Sequence, residues 1–167
     1  LNGLIHRVEN RIEAGRADEP SSKRLSAGLA GQNLRMGRMK TGTPPRLDKR
    51  TIDWDQLALQ IGDIPPRKFS FWDSRIILPQ VPCYIAYTNS RTHQVIRENL
   101  ERSALYGGKI FGIGPRYCPS IEDKIVKFAD RDRHQVFLEP TGLAEDNLMI
   151  YPNGLSTSLP DEVQHEV

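Results

Sequence analysis

Cysteine is scarce in this chain: Cys83 and Cys118 are the only two among 167 residues. They lie far apart, neither belongs to a CxxC pair and neither has a histidine close by, so the sequence offers no zinc site and no metal is expected. A disulfide between them would be unusual in a reducing compartment. Long hydrophobic runs are missing too. No apolar stretch approaches the roughly 20 residues of a membrane-spanning helix, and no secretory leader is recognisable, so the chain reads as cytoplasmic with no membrane partner. Charge of one sign is also lacking, since 23 Lys and Arg stand against 21 Asp and Glu, a net charge of +2. So small an excess does not argue for nucleic acid, because phosphate binding depends on where basic residues cluster. Position 1 lacks methionine and holds Leu1, which suggests an excerpt of a longer gene product.

What is present is ordinary for a soluble globular protein: 38% hydrophobic and 26% charged residues. A chain of this length normally makes one domain and could bury roughly 70% of its unfolded surface. "LNGLIHRVE" reads as a short strand and turn, and "GRADEPSSKRLSAGL" as a loop leading into a helix near Leu25. Lys40 to Arg46, "KTGTPPR", must be non-helical because consecutive prolines remove donors and hold the preceding residues extended. Thr51 or Asp53 is expected to cap a short helix carrying Trp54, Leu57, Leu59 and Gln60 before Gly62 ends it.

The second half has a clearer pattern. In "QVPCYIAYT" the side chains alternate with a period of two, which predicts a strand with Pro82 near its start. Asn89, Ser90 or Thr92 can cap the next helix, with Val95, Ile96, Leu100 and Ala104 as its apolar stripe and Arg91, Arg97, Glu98 and Glu101 towards water. "GGKIFGIG" then reads as extended, so strand, helix and strand suggest a crossover unit in an α/β sheet. "HQVFLEP" and "NLMIYPNG" supply two more strands.

The stretch "GPRYCPSIEDKIVKF" places Cys118 just ahead of Pro119 and Ser120. Ser120 and Asp123 have the spacing of a helix N-cap, so Cys118 sits at the mouth of a helical turn where amide hydrogens and Arg116 favour a thiolate. The plainer reading is a small buried hydrophobe. Gly112 and Gly114 form a G-x-G, but Tyr117 stands where a dinucleotide fingerprint wants its third glycine, and a turn is the commoner use. Arg35, Arg38, Lys40 and Arg46 could grip phosphates around the Pro44-Pro45 turn, although scattered basic residues are usually just solvated. His93 is expected on a helix surface, and Trp54, Phe71 and Trp72 in the core.

These residues carry a resemblance. "GPRYCPSIEDKIVKF" is similar to a signature of the GidA/MnmG family of flavoproteins that modify the wobble uridine of certain tRNAs. "KTGTPPR", "QVPCYIAYTN", "FLEPTGL" and "YPNGLSTSLP" also resemble family segments, in the same order, so the likeness runs nearly end to end.

The resemblance implies an α/β fold in which residues 1–46 are the tail of the first portion of a split FAD-binding domain. Residues 47–167 would then be an inserted, Rossmann-like mixed-sheet domain. It implies a NAD contact formed by Gly114, Pro115, Arg116, Tyr117, Cys118, Pro119, Ser120, Ile121, Glu122, Asp123, Lys124, Ile125, Val126, Lys127 and Phe128. It also implies an FAD contact at Ser22, beside Ser21, where the family usually has a second proline. The implied reaction adds a carboxymethylaminomethyl or aminomethyl group to uridine C5, with methylenetetrahydrofolate as carbon source and FAD and NADH as redox cofactors. The implied partners are tRNA, an MnmE-type tRNA-modification GTPase and a second copy in a homodimer. Cys118 would be the catalytic thiolate, with another family cysteine upstream, so the excerpt alone is expected to be inactive. The alternative is a non-catalytic scaffold that binds tRNA or a dinucleotide.

Overall fold

The computed structural model describes residues 1–7, 10–16, 18–72, 75–143 and 147–167, with only the backbone of residue 7. The chain begins with two small antiparallel ribbons. β1 (Ile5–Arg7) pairs with β2 (Asn10–Ile12), and β3 (Ala14–Arg16) pairs with β4 (Glu19–Pro20). Val8 and Glu9 of the predicted first turn lie outside the described residues. α1 (Lys23–Gly31) forms where Leu25 predicted it but buries none of its residues.

From residue 47 onward the strands join one sheet. β5 (Leu47–Asp48), β6 (Ala58–Gln60), β7 (Cys83–Tyr87), β8 (Gln135–Pro140) and β9 (Met149–Asn153) lie in the order β5-β9-β8-β7-β6. Every neighbouring pair is antiparallel, with Tyr84 opposite Leu138 and Leu138 opposite Pro152. Alternation along β8 buries Val136 and Leu138, which pack with Ile150, and Trp54, Leu57 and Tyr84 press against that cluster.

The mixed α/β composition is therefore present, but the Rossmann-like mixed sheet is not: among the described residues no named strands pair in parallel. The crossover fails because "GGKIFGIG" is not a sheet strand. Lys109 and Ile110 donate their amides back to the Ala104 carbonyl, closing a turn, and Ile113 makes its bridge with Met39 instead. The helix expected over Trp54 to Gln60 is also corrected. It is a 3-10 turn at Trp54–Gln56 followed at once by β6, whose partner β7 offers a ladder that a helix could not use.

Three helices complete the fold: α2 (Ser90–Glu98), α3 (Ile121–Lys127) and α4 (Asp161–Glu166). Asn89 caps α2 by accepting from the Thr92 amide at 3.0 Å, one of the three capping choices that the sequence offered. Ile96, Ile121, Ile125, Leu159 and Val163 make the core of this region, and Leu155 touches both apolar clusters. None of the described helices is long and apolar enough to cross a membrane.

Three side-chain placements differ from the sequence reading. His93 is buried, because its Nε2 meets Thr88 Oγ1 at 2.7 Å and its ring lies 5.3 Å from that of His134. Phe71 and Trp72 are exposed, since no described helix or strand runs between residues 61 and 82 to give them a packing surface. Trp54 does pack, with its ring 4.6 Å from Tyr84 and its Nε1 donating to the Lys49 carbonyl.

Candidate active site

The opening of α3 is built as the sequence requires. Ser120 Oγ accepts from the Asp123 amide at 3.2 Å, satisfying one of the donors that a helix start leaves free. Cys118 lies two residues before this cap and is exposed, so its sulfur is not spent on packing. Thr41, from the "KTGTPPR" loop, points its hydroxyl at the sulfur across 3.9 Å. Lys124, one turn into α3, is half-buried and donates to the Gly154 carbonyl at 2.9 Å. Burial pushes the Lys124 ammonium below its ordinary range, while the Cys118 sulfur acts in the opposite sense. A hydroxyl donor and an ammonium are the neighbours that a nucleophilic sulfur uses.

Glu122 fixes this geometry from beneath. It is fully buried, and its Oε1 accepts from Ser103 Oγ, Thr157 Oγ1, the Ser158 amide and Ser158 Oγ at 2.9–3.2 Å. The start of α3 is thereby tied to "LSTSLP". The Ile121 amide adds a bond to the Ser156 carbonyl at 2.7 Å. Thr157 in turn bridges Thr43, where Gly42 comes so close that a Cβ would stand 2.9 Å from the Thr157 nitrogen. Three segments far apart in sequence thus meet at one place: residues 40–46, 114–128 and 151–160.

The structure divides the expected dinucleotide segment into two parts. Gly114, Arg116, Tyr117 and Cys118 are exposed, and Pro115 and Pro119 are partly so. Ser120, Ile121, Glu122 and Ile125 are buried: the Ser120 hydroxyl caps α3, Ile121 and Ile125 lie in the core, and Glu122 is engaged through Oε1 while its Oε2 has no hydrogen-bond partner among the described residues. Asp123 is half-buried. Burial would raise its carboxyl, but Lys127 at 2.7 Å, with Tyr106 and the Ser120 cap, holds it below the usual range. The same burial and the Asp123 charge push the Tyr106 hydroxyl up to about 12. Val126, Lys127 and Phe128 are exposed at the far end of α3. Ahead of α3, the part of the segment that a ligand can reach is therefore Gly114–Cys118, whereas Ile121, Glu122 and Ile125 are buried away from direct contact.

Arg116 lies with its guanidinium 5.2 Å from the centre of the Tyr117 ring, and Lys124, the lysine whose ammonium the Cys118 sulfur acts to raise against burial, is a residue that the sequence reading did not single out for a role at the thiol. Lysine at the fourth position of α3 faces back towards the N-terminal turn, and that spacing was the available signal. Gly112 has a φ of +136° and backs onto the Arg38 carbonyl, a close approach within a turn. Arg46 is occupied locally, stacking 4.3 Å from the Tyr151 ring and donating to Thr43 and Pro44. Ser22 is exposed at the N-cap of α1 and makes no side-chain capping bond, which leaves its hydroxyl open to a flavin contact.

Comparison with known proteins places this arrangement. A sequence profile for the family described as Glucose inhibited division protein A matches residues 1–167. The chain is 58% identical over 164 residues to the tRNA uridine 5-carboxymethylaminomethyl modification enzyme MnmG of Thermodesulfovibrio yellowstonii, covering 98% of this chain and 26% of that protein. It is 57% identical over 174 residues to the enzyme of the same name from Aquifex aeolicus, covering all of this chain and 28% of that protein. A solved structure of Aquifex aeolicus GidA in its form I crystal superposes with a TM-score of 0.78 at 57% identity, covering 98% of this chain and 28% of that one. The chain thus spans about a quarter of the length of the curated relatives it matches.

Proposed function

The chain belongs to the GidA family, and from that premise we propose that it is the thiol-bearing and nicotinamide-contacting portion of a tRNA-modifying flavoenzyme. In this reading the whole enzyme adds a carboxymethylaminomethyl or aminomethyl group to C5 of the wobble uridine. The supporting observation is the exposed Cys118 sulfur facing the Thr41 hydroxyl and within electrostatic reach of Lys124, over a floor tied together by Glu122.

Uridine C5 is a poor nucleophile while its ring is intact. Addition of the Cys118 thiolate to C6 forms an S–C6 bond and moves the C5–C6 electron pair towards the C4 carbonyl oxygen, which makes C5 electron-rich. After C5 has bonded to its new carbon it loses its proton, the double bond re-forms and the sulfur leaves C6 as thiolate. Lys124 offers the sulfur a nearby positive charge through this cycle, and Thr41 a hydroxyl. When bound, FAD and NADH supply the redox chemistry and methylenetetrahydrofolate the carbon. Gly114–Cys118 would hold the nicotinamide dinucleotide, and Ser22 would contribute one flavin contact.

Residues 1–46 are assigned to the tail of the first part of the split flavin domain and residues 47–167 to the inserted domain. Among the described residues, the named strands before residue 47 pair with one another and those after it share one sheet, which supports that boundary, although single bridges from Met39 and Thr43 cross it. The full-length enzyme works in the cytoplasm as a homodimer with an MnmE-type GTPase, and this portion alone is inactive. The test is Cys118→Ser in the full-length enzyme, assayed for modified uridine in tRNA. Modification should fall by at least about 100-fold; a rate like the wild type's rejects the nucleophile.

One observation favours a second reading, in which this portion is a scaffold: Ile121, Glu122 and Ile125 of the signature serve the core. Alkylation of the folded protein separates the two. A Cys118 that reacts no faster than an ordinary exposed thiol favours the scaffold.

A further inference from the structure

A second feature lies at the other end of α3. Between the end of β7, the start of α2 and the turn after α3 there is an open cavity of about 570 Å³. Its wall includes Arg97, Arg131 and Arg133, with Asn89 and His93 behind them and Asp132 as the one carboxylate. We propose that this cavity is a subsite for a phosphate group of a nucleic-acid strand. The choice of an RNA strand as the source rests on the tRNA reading above.

The three guanidiniums are what such a ligand needs. Among the described residues no carboxylate forms an ion pair with any of them, whereas Arg16, Arg50, Arg67 and Arg102 are each paired with an acid. Two are held in place by rings: Arg133 lies 4.3 Å from the centre of Tyr87 and Arg131 lies 5.5 Å from that of Phe128. Stacking orients the guanidinium plane and leaves the N–H donors at its edge free for phosphate oxygens. Three positive charges against Asp132 leave a local excess that the chain's overall net charge of +2 does not reveal.

The rest of the wall adds no competing charge. His93 is buried against Thr88, and burial with the nearby Arg97 keeps its ring below the ordinary histidine range despite Asp132, so it is neutral at physiological pH. The cavity is open to solvent rather than closed around a small anion, and the Tyr87 ring in its wall is covered by the Arg133 guanidinium. An opening of this kind admits a continuous sugar-phosphate strand, where phosphate contacts position the nucleic acid without reading its sequence.

The experiment uses the full-length enzyme carrying Arg131→Gln with Arg133→Gln, and separately Arg97→Gln, with Arg91→Gln on the outer face of α2 as control. Each variant is first shown to melt like the wild type. tRNA affinity is then measured against salt concentration. The double variant should bind roughly tenfold more weakly at low salt, and its log K against log salt should be shallower by about one to two, with no change in tRNA preference. Arg91→Gln should match the wild type. Titration with inorganic phosphate and with a nucleoside monophosphate distinguishes the sources: tight binding of either, with tRNA affinity and salt slope unaffected by the substitutions, overturns the strand subsite. So does an unchanged slope alone. If the wild-type enzyme fails to bind tRNA, both this proposal and the tRNA reading fall; if it binds and the arginine variants do too, only the subsite falls.

Discussion

Ile96, Ile121, Ile125 and Val163 are each no more than 1% exposed, while Ile64, Phe69, Phe71, Trp72 and Ile77 are each at least 84% exposed. The second group is the more hydrophobic by size, yet it lies in the open. The difference comes from the backbone. Pro65, Pro66, Pro79 and Pro82 withdraw amides from the segment 61–82, and its described residues form no helix or strand that could present an apolar face. In the packed region, α2, α3 and α4 each turn one stripe inward, and the stripes meet. Burial follows from a repeating backbone with a partner to face, and apolar content alone does not produce it.

The sharpest way to break this contrast is to cut into the packed side. Ile125→Ala should destabilise the protein by about 2–5 kcal/mol in denaturant unfolding, since it removes a fully buried side chain and leaves a cavity. Glu122→Ala should cost roughly 2–3 kcal/mol in the same measurement, because it strips the shared acceptor from two serines and a threonine. Glu122→Gln keeps an acceptor and should cost less.

Acid gives a smaller, graded effect. Burial holds both His93 and His134 below the ordinary histidine range, with Arg97 adding to the first and His93, Lys124 and Arg131 to the second. The folded state thus favours neutral rings, while the unfolded chain takes up protons as the pH drops through about 6.5. Their contribution is complete above that pH and is lost on acidification below it, so the melting temperature should decline there. His93→Gln should flatten the decline. At the far end of the scale, Trp72→Ser on the open side should change stability by no more than about 0.5 kcal/mol. A large loss would mean that the ring is packed in solution.

Much of the packed region was legible because its signals are local. The β7 strand and the Asn89 and Ser120 caps depend on neighbouring residues, and each formed where expected. The failures needed knowledge of a distant partner. Ile113 is extended, but its bridge is to Met39, and the turn before it is closed by the Ala104 carbonyl, so the crossover strand had no place in the sheet. His93 was misjudged because the groups that bury it, Thr88 and His134, come from the end of β7 and the start of β8. At the candidate site the cap and the exposed sulfur were readable. The role of Glu122 was not, because the groups it binds, Ser103, Thr157 and Ser158, lie 19 to 36 positions away, and the Gly154 carbonyl that takes up Lys124 lies 30 away.

The 3.9 Å approach of Thr41 to Cys118 joins residues 77 positions apart, one on each side of the boundary drawn at residue 47. Helix α3 is consequently not a portable cassette. Transplanting it into another scaffold, or expressing residues 47–167 alone, would carry the sulfur across without the hydroxyl beside it and without the Thr43 rung that steadies Thr157. A thiol reactivity measured on such a truncation would describe a different chemical environment from the one the longer chain assembles.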